Sequence, residues 1–124
     1  MVKVVYILQR RDDVTPQDFY AYWKHNHGPL VRSFAKAIRA IRYVQSHTID
    51  TPLNEAFRES RGMLPPAAGI TEVWWNSLAD LEAGFASAEG QEAAKALIAD
   101  EATFIDLAKS SCFLTEEHTI FDES

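Results

Sequence analysis

Residues 19–34 read "FYAYWKHNHGPLVRSF" and carry apolar side chains at the spacing of one helix face. Thr15 suits the helix N-cap and Pro16 suits the first helical position, so we predict that the helix begins there. Pro29 cannot donate to the carbonyl group four residues earlier, and its ring clashes with that group. We therefore predict a kink or break at residues 27–29, with Pro29 opening a second helix.

Two histidines precede this proline. At about 100° per residue, His27 falls inside the apolar stripe and His25 falls well outside it. We expect His25 in solvent and His27 inside, where a neutral imidazole could take or give a proton near neutral pH. The simpler interpretation is that His27 only hydrogen-bonds to backbone at a helix break. The two-residue spacing matches no metal-binding pattern, so no metal site is predicted.

The segments on either side of this helix predict a mixed α+β fold. Four segments rich in β-branched and aromatic residues indicate strands, at residues 2–11, 41–49, 70–75 and 110–121. A second helical region covers residues 78–107. The resulting order, β-α-β-β-α-β, is typical of a ferredoxin-like fold with an antiparallel sheet. Residues 50–69 form an unusually long connection, with a short helix at 53–61 and a possible role as a lid or rim.

The first and third predicted strands have apolar residues on both faces. In the first strand, Val4 and Tyr6 alternate with Val5 and Ile7. Helices cover only one face of such a sheet, and the other face would then expose too much apolar surface for a soluble monomer. We predict a homodimer in which two sheets face each other across a largely apolar chamber.

The 124 residues suit a single domain, 1–124, with one core. The chain has 12 Lys and Arg against 18 Asp and Glu, and the basic residues are scattered, so we expect no nucleic acid or membrane partner. The single cysteine, Cys112, cannot form an intrachain disulfide and suits a reducing compartment. No signal peptide or transmembrane segment is recognisable, so a cytoplasmic protein is expected.

Further polar and aromatic side chains lie on the predicted strands. Tyr43 and His47 share one face of the second strand. Glu72 stands between apolar neighbours in the third strand, so its carboxylate lies either at the sheet edge or in the chamber with a partner. Trp74 and Trp75 point to opposite faces, so one packs on helices and the other faces the chamber or the dimer partner.

The stretch "FYAYWKHNHGPLV" resembles the helix signature of the EthD family of dimeric α/β-barrel proteins, aromatic-x-x-Tyr-Trp…His-(Gly/Ala)-Pro-Leu. The resemblance extends to "IRYVQSHTI", "LNEAFRESRGMLPPAAG", "GITEVWWNSLADLEAGF" and "FLTEEHTIF", and so covers nearly the whole chain. It implies a ferredoxin-like protomer that dimerises face to face and has a cavity, with His27 at the position of the family's helix histidine. It also implies chemistry on hydrophobic aromatic or polyketide-like molecules, usually without a bound organic cofactor.

Two functions of different classes are compatible with these features. One is a cofactor-free acid–base enzyme of the lyase, isomerase or oxygenase type, acting on a phenolic or β-keto aromatic substrate. The other is a binding or accessory protein that holds a hydrophobic metabolite without turnover. Haem binding is a third alternative, although the acidic chain has no clear basic site for the propionates. The side chains assigned to the site are His27, His47 and Glu72 as catalytic groups, and Tyr22, Tyr43 and Trp74 as substrate contacts.

Overall fold

The computed structural model describes residues 1–124 and contains a four-stranded antiparallel sheet in the order β2-β3-β1-β4. The strands are β1 (Val2–Leu8), β2 (Arg42–His47), β3 (Gly69–Trp75) and β4 (Ser111–Thr115). The helices are α1 (Pro16–Tyr22), α2 (Gly28–Phe34), α3 (Pro52–Arg61), α4 (Leu78–Ala86) and α5 (Ala88–Glu101). The predicted α+β class and ferredoxin-like order are confirmed. None of the helices has the length and apolar character needed to cross a bilayer.

Hydroxyl caps fix two of the helix starts that the sequence predicts. The Oγ1 atom of Thr15 accepts a hydrogen bond from the N–H group of Asp18 at 3.1 Å. The Oγ atom of Ser77 accepts one from the N–H group of Asp80 at 3.1 Å. Each bond satisfies an N–H group that a helix leaves unpaired at its first turn.

Of the two predicted outcomes at residues 27–29, a kink or a break, the structure excludes the break, and α2 begins at Gly28 with Pro29 in its first turn. Residues Trp23–His27 form a single π-helical turn that joins α1 to α2 without any residue leaving the helical conformation. In this wider turn the N–H group of Gly28 donates to the carbonyl oxygen of Trp23, five residues earlier. Pro29 follows directly, and the wider turn accommodates a ring that would clash in a regular α-helix.

In the C-terminal half, the predicted second helical region is two helices, and both this region and the last strand end earlier than the sequence predicts. Ser87 adopts an extended conformation and separates α4 from α5, and its hydroxyl caps α5. Helix α5 ends at Glu101 rather than continuing to residue 107. The last strand, β4, ends at Thr115, so the residues that follow form a tail instead of further sheet.

Two apolar clusters form the core between the sheet and the helices. One contains Val4, Ile38, Val73, Trp75 and Ala93, and the other contains Leu8, Phe19, Trp23, Phe104 and Ile105. Antiparallel pairing places Val4 opposite Val73, so both side chains point to the helix side. Removal of these side chains from water is the main term that stabilises the fold.

The opposite face of the sheet lies outside both core clusters. Val5, Ile7, Val44, Ile70 and Phe113 belong to this open face. Ile70 is 38% exposed and Phe113 is 47% exposed. The predicted two-sided apolar character of the sheet is therefore confirmed, and a second copy on this face stays a prediction.

Helix α3 lies in the long connection between β2 and β3, where the sequence predicts a short helix. Gly62 ends it in the left-handed conformation, with φ at +62°, which glycine adopts without strain. No residue of α3 is buried. Leu53 and Phe57, one turn apart, both leave most of their surface exposed. The suggested role of this connection as a lid or rim stays a prediction.

Candidate active site

A cavity of about 120 Å³ lies on the helix side of the sheet, lined by residues from both core clusters. Thirteen of its sixteen lining residues are hydrophobic, and the three exceptions are His27, Thr71 and Glu101. This volume approaches that of a buried apolar cavity of roughly 150 Å³ that binds benzene. The cavity therefore suits a small apolar molecule or one ring of a larger one.

His27 occupies the last position of the π-helical turn and is buried, with 5% of its surface exposed. Its Nδ1 atom lies 2.7 Å from Oδ2 of Asp100 on α5. A carboxylate acceptor assigns the proton of a neutral imidazole to Nδ1, so Nε2 is left as the free basic nitrogen. The Tyr22 hydroxyl donates to the other oxygen of Asp100 and helps to hold that carboxylate in place.

Glu101, the last residue of α5, is the one carboxylic acid that lines the cavity. Its Oε2 atom lies 4.0 Å from Nε2 of His27, too far for a direct hydrogen bond. Burial raises the pKa of Glu101 to about 7, and the neighbouring Asp100 carboxylate adds to this rise. Glu101 can therefore hold or release a proton near neutral pH.

Hydroxyl groups line another part of the cavity. Tyr43, whose predicted place at the site is compatible with this position, accepts a hydrogen bond from Nε2 of Gln45 at 2.8 Å. Burial raises the pKa of the Tyr43 hydroxyl, and donors that include Gln45 and Trp23 partly offset the rise. The indole Nε1 of Trp23 is fully buried and makes no hydrogen bond of ordinary geometry. Its effect on the pKa of Tyr43 places this N–H group close to the Tyr43 hydroxyl, although outside hydrogen-bond geometry.

His47 does not line this cavity. Its ring stacks on Trp23, with ring centroids 4.3 Å apart and an interplanar angle of 10°. Its Nε2 atom lies 2.8 Å from Oε1 of Gln45, and burial lowers the pKa of His47. The structure thus places His47 on the far side of the Trp23 ring, where it supports the wall of the cavity instead of reaching into it.

Glu72 and Trp74 lie on the open face of the sheet, whereas His27 lies on the helix side. Glu72 accepts a hydrogen bond from Nζ of Lys3 at 2.6 Å. The guanidinium group of Arg42 lies 4.4 Å from the Trp74 ring centroid, and the indole N–H of Trp74 donates to Glu117 at 2.6 Å. The structure therefore does not bring these two predicted site residues together with His27.

Tyr22, predicted as a substrate contact, lies behind Asp100 and does not line the cavity. The sequence interpretation missed Asp100 and Glu101. A signal for Glu101 exists: it follows Ala93 and Leu97 at intervals of four, so a charged residue stands on the buried face of α5.

The arrangement of donor groups bears on metal and haem binding. No group of three or more His, Cys, Asp and Glu side chains is placed to hold a metal ion. The cavity, at about 120 Å³, is also much smaller than a haem group.

Comparisons with known proteins agree with this architecture. The family model described as "EthD domain" matches residues 11–108. An EthD family protein from Bacillus halodurans has a similar structure, with a TM-score of 0.63, 19% identity, and coverage of 95% of this chain and 99% of that chain. SnoaB, a cofactor-independent oxygenase from Streptomyces nogalater, gives a TM-score of 0.55 and 15% identity over 98% of this chain and 97% of that chain.

HapK from Hahella chejuensis gives a TM-score of 0.58 and 7% identity, over 100% of this chain and 98% of that chain. No curated protein matches the sequence. At these identities the solved structures show a shared fold and nothing about a shared reaction.

Proposed function

The chain belongs to the EthD domain family, and from that premise we propose that it is an acid–base enzyme acting on a small hydrophobic molecule in the cavity. The observation that carries the proposal is the position of His27. Its imidazole lines an apolar cavity, Asp100 binds Nδ1 at 2.7 Å, and Nε2 is left free. A histidine fixed in this way by a carboxylate is a common general base.

The apolar cavity indicates the kind of substrate and step. An aromatic or alicyclic ring would contact the hydrophobic walls, and the acidic C–H group beside a carbonyl would lie against the imidazole. Proton removal at such a carbon begins cyclisation, dehydration and isomerisation reactions. A positioned general base contributes about 10²–10⁴-fold to such steps, which suffices for an already reactive substrate. The comparison with SnoaB, described as a cofactor-independent oxygenase, is compatible with chemistry that needs no organic cofactor.

We also propose that the protein is a homodimer formed through the open face of the sheet. The apolar residues of that face, including the partly exposed Ile70 and Phe113, form a surface that water solvates poorly. The ion pair between Lys3 and Glu72 neutralises the charge at its centre. A two-fold contact would bury this surface on both copies at once.

Exchange of the α-protons of cyclohexanone for deuterium, followed by NMR in D₂O, tests the enzymatic function with a probe of suitable size. We expect the wild-type protein to accelerate exchange and His27→Gln to reduce that acceleration by about 10²–10⁴-fold. His25→Gln is the matched control, because His25 is exposed and lies in the same turn. Binding of cyclohexanone without accelerated exchange in any variant would instead support a hydrophobic-ligand-binding protein.

A further inference from the structure

We propose that Glu101 is the general acid of the cavity and that it restricts the site to uncharged molecules with a hydrogen-bond-accepting oxygen, ketones above all. The proposal rests on the proposed function, since it assigns a second group and a substrate class to the same cavity.

Glu101 and His27 line the same cavity side by side. Oε2 of Glu101 and Nε2 of His27 are 4.0 Å apart. A ketone can place its carbonyl oxygen about 2.8 Å from the carboxyl group of Glu101 and its α-carbon against Nε2 of His27. The side chain of Glu101 is only 17% exposed, so the cavity rather than bulk water is its main environment.

The charges around Glu101 exclude an anionic ligand. No lysine or arginine is among the lining residues, so nothing would pair with a buried carboxylate or phosphate. The ionisable groups that interact with Glu101 from its own helix and from the neighbouring elements are Asp100 and His27, together with Tyr6, Tyr43 and Cys112. Histidine is the one group among these that can become positively charged, and Asp100 already binds it.

The protonated carboxyl group of Glu101 and the free imidazole nitrogen can act together on a ketone. Nε2 of His27 takes a proton from the α-carbon as the C–H bond breaks, and the electron pair forms the carbon–carbon double bond. The carbonyl oxygen takes the proton of Glu101, which becomes a carboxylate. The products are an enol and an imidazolium–carboxylate pair, and the reverse step restores both groups.

The test compares three ligands of similar shape: cyclohexanone, cyclohexanecarboxylate and methylcyclohexane. Each is titrated by NMR into wild-type protein and Glu101→Gln at pH 5.5 and pH 8.5. Since Glu101 loses its donor proton as the pH rises, wild type should bind cyclohexanone about fivefold more weakly at pH 8.5, the factor that one hydrogen bond typically contributes. Glutamine keeps an N–H donor at both pH values, so Glu101→Gln should lose this dependence.

Methylcyclohexane should bind equally at both pH values, and cyclohexanecarboxylate should not bind wild type detectably. Glu101→Gln should slow α-proton exchange at pH 5.5 by at least about tenfold with unchanged affinity for cyclohexanone. The role of Glu101 would be overturned if the affinity for cyclohexanone depended equally on pH in both proteins. It would also be overturned if cyclohexanecarboxylate bound as tightly as cyclohexanone. If exchange still depends on His27 in that case, the proposed function survives.

If none of the three ligands binds, both proposals fail. If Glu101→Gln does not fold, the wild-type protein still gives a test. Cyclohexanone that binds equally at both pH values, as methylcyclohexane should, would overturn the role of Glu101 as a donor.

Discussion

The Nδ1 atom of His27 lies 2.7 Å from Oδ2 of Asp100, although the two residues are 73 positions apart in the chain. The contact joins the π-helical turn to the end of α5, and so links the two helical regions on one side of the sheet. It also fixes which imidazole nitrogen carries the proton. The direction of the basic nitrogen in the cavity therefore depends on a residue outside the first helix.

Asp100→Asn should lower the rate of cyclohexanone exchange by at least about tenfold with little change in affinity, because an amide no longer favours the Nδ1-protonated tautomer. The tautomer can be read from the ¹⁵N chemical shifts of His27. Tyr22→Phe removes one support of the Asp100 carboxylate and should have a smaller effect on the same shifts. An exposed carboxylate, changed in Asp12→Asn, is the control. Unchanged ¹⁵N shifts in Asp100→Asn would contradict the positioning role.

Glu101 should make the stability of the protein depend on pH. Burial raises its pKa from 4.5 to about 7, so the folded state binds this proton more tightly than the unfolded chain does. The resulting stabilisation is fully present below about pH 4.5 and is lost as the pH rises to about 7. The full loss corresponds to roughly 3 kcal/mol of unfolding free energy.

Urea unfolding of wild-type protein and Glu101→Gln at pH 5 and pH 8 measures this effect. Between these values, wild type should lose roughly 2 kcal/mol relative to the glutamine variant, which has no proton to release. The comparison cancels the contributions of other titrating groups. If the unfolding free energies of the two proteins changed equally between pH 5 and pH 8, Glu101 would have the same pKa in the folded state as in the unfolded chain.

Gly69→Ala should destabilise the fold by about 1–3 kcal/mol, the usual range for overpacking. A β-carbon at this position would lie 2.6 Å from the carbonyl oxygen of Ser46 and 2.6 Å from the Trp23 ring. Gly62→Asn is the matched control, because nothing lies near that position and asparagine tolerates its positive φ. Its unfolding free energy in urea should stay within about 0.5 kcal/mol of wild type. Equal effects of the two substitutions would show that the chain adjusts around Gly69.

Ile70→Glu and Phe113→Glu, made separately, should dissociate the proposed dimer. Each places a charge on the open face of the sheet, where a two-fold contact would bury it without a counter-charge. Leu78→Glu changes an exposed leucine on α4 and should leave the assembly intact. Sedimentation velocity gives the mass of each species. A wild-type protein that sediments as a monomer, or variants that remain dimeric, would refute this interface.

The order of strands and helices could be predicted because its signals are local. Hydroxyl residues at the helix starts, a glycine after α3 and alternating apolar residues in β1 each act within a few positions. Near Pro29 the sequence predicts a kink or a break, and the structure excludes the break. The rule that proline disrupts a helix assumes regular α-helical geometry, and the chain instead widened one turn just before the proline.

The site was harder to predict because its parts come from distant segments. His27 was found from its place in an apolar stripe, but its partner Asp100 is brought close only by the packing of α5. Glu72 was ambiguous because β3 is apolar on both faces, so alternation alone does not tell which face holds the cavity. Its actual neighbour Lys3 lies on another strand, in a register that the sequence does not specify.

The π-helical turn also explains a regularity in the sequence. Phe19, Trp23, His27 and Val31 recur at every fourth position, and all four are buried. In an uninterrupted α-helix each interval of four advances about 40° beyond a full revolution, so three intervals would carry the last side chain about 120° away from the first. A π-helical turn rotates less per residue than an α-helical turn, so it reduces this angular displacement and keeps the four side chains closer to one face. Buried side chains at every fourth position over a dozen residues, with Gly-Pro inside the repeat, therefore indicate a helix in which one widened turn keeps those side chains on a single face.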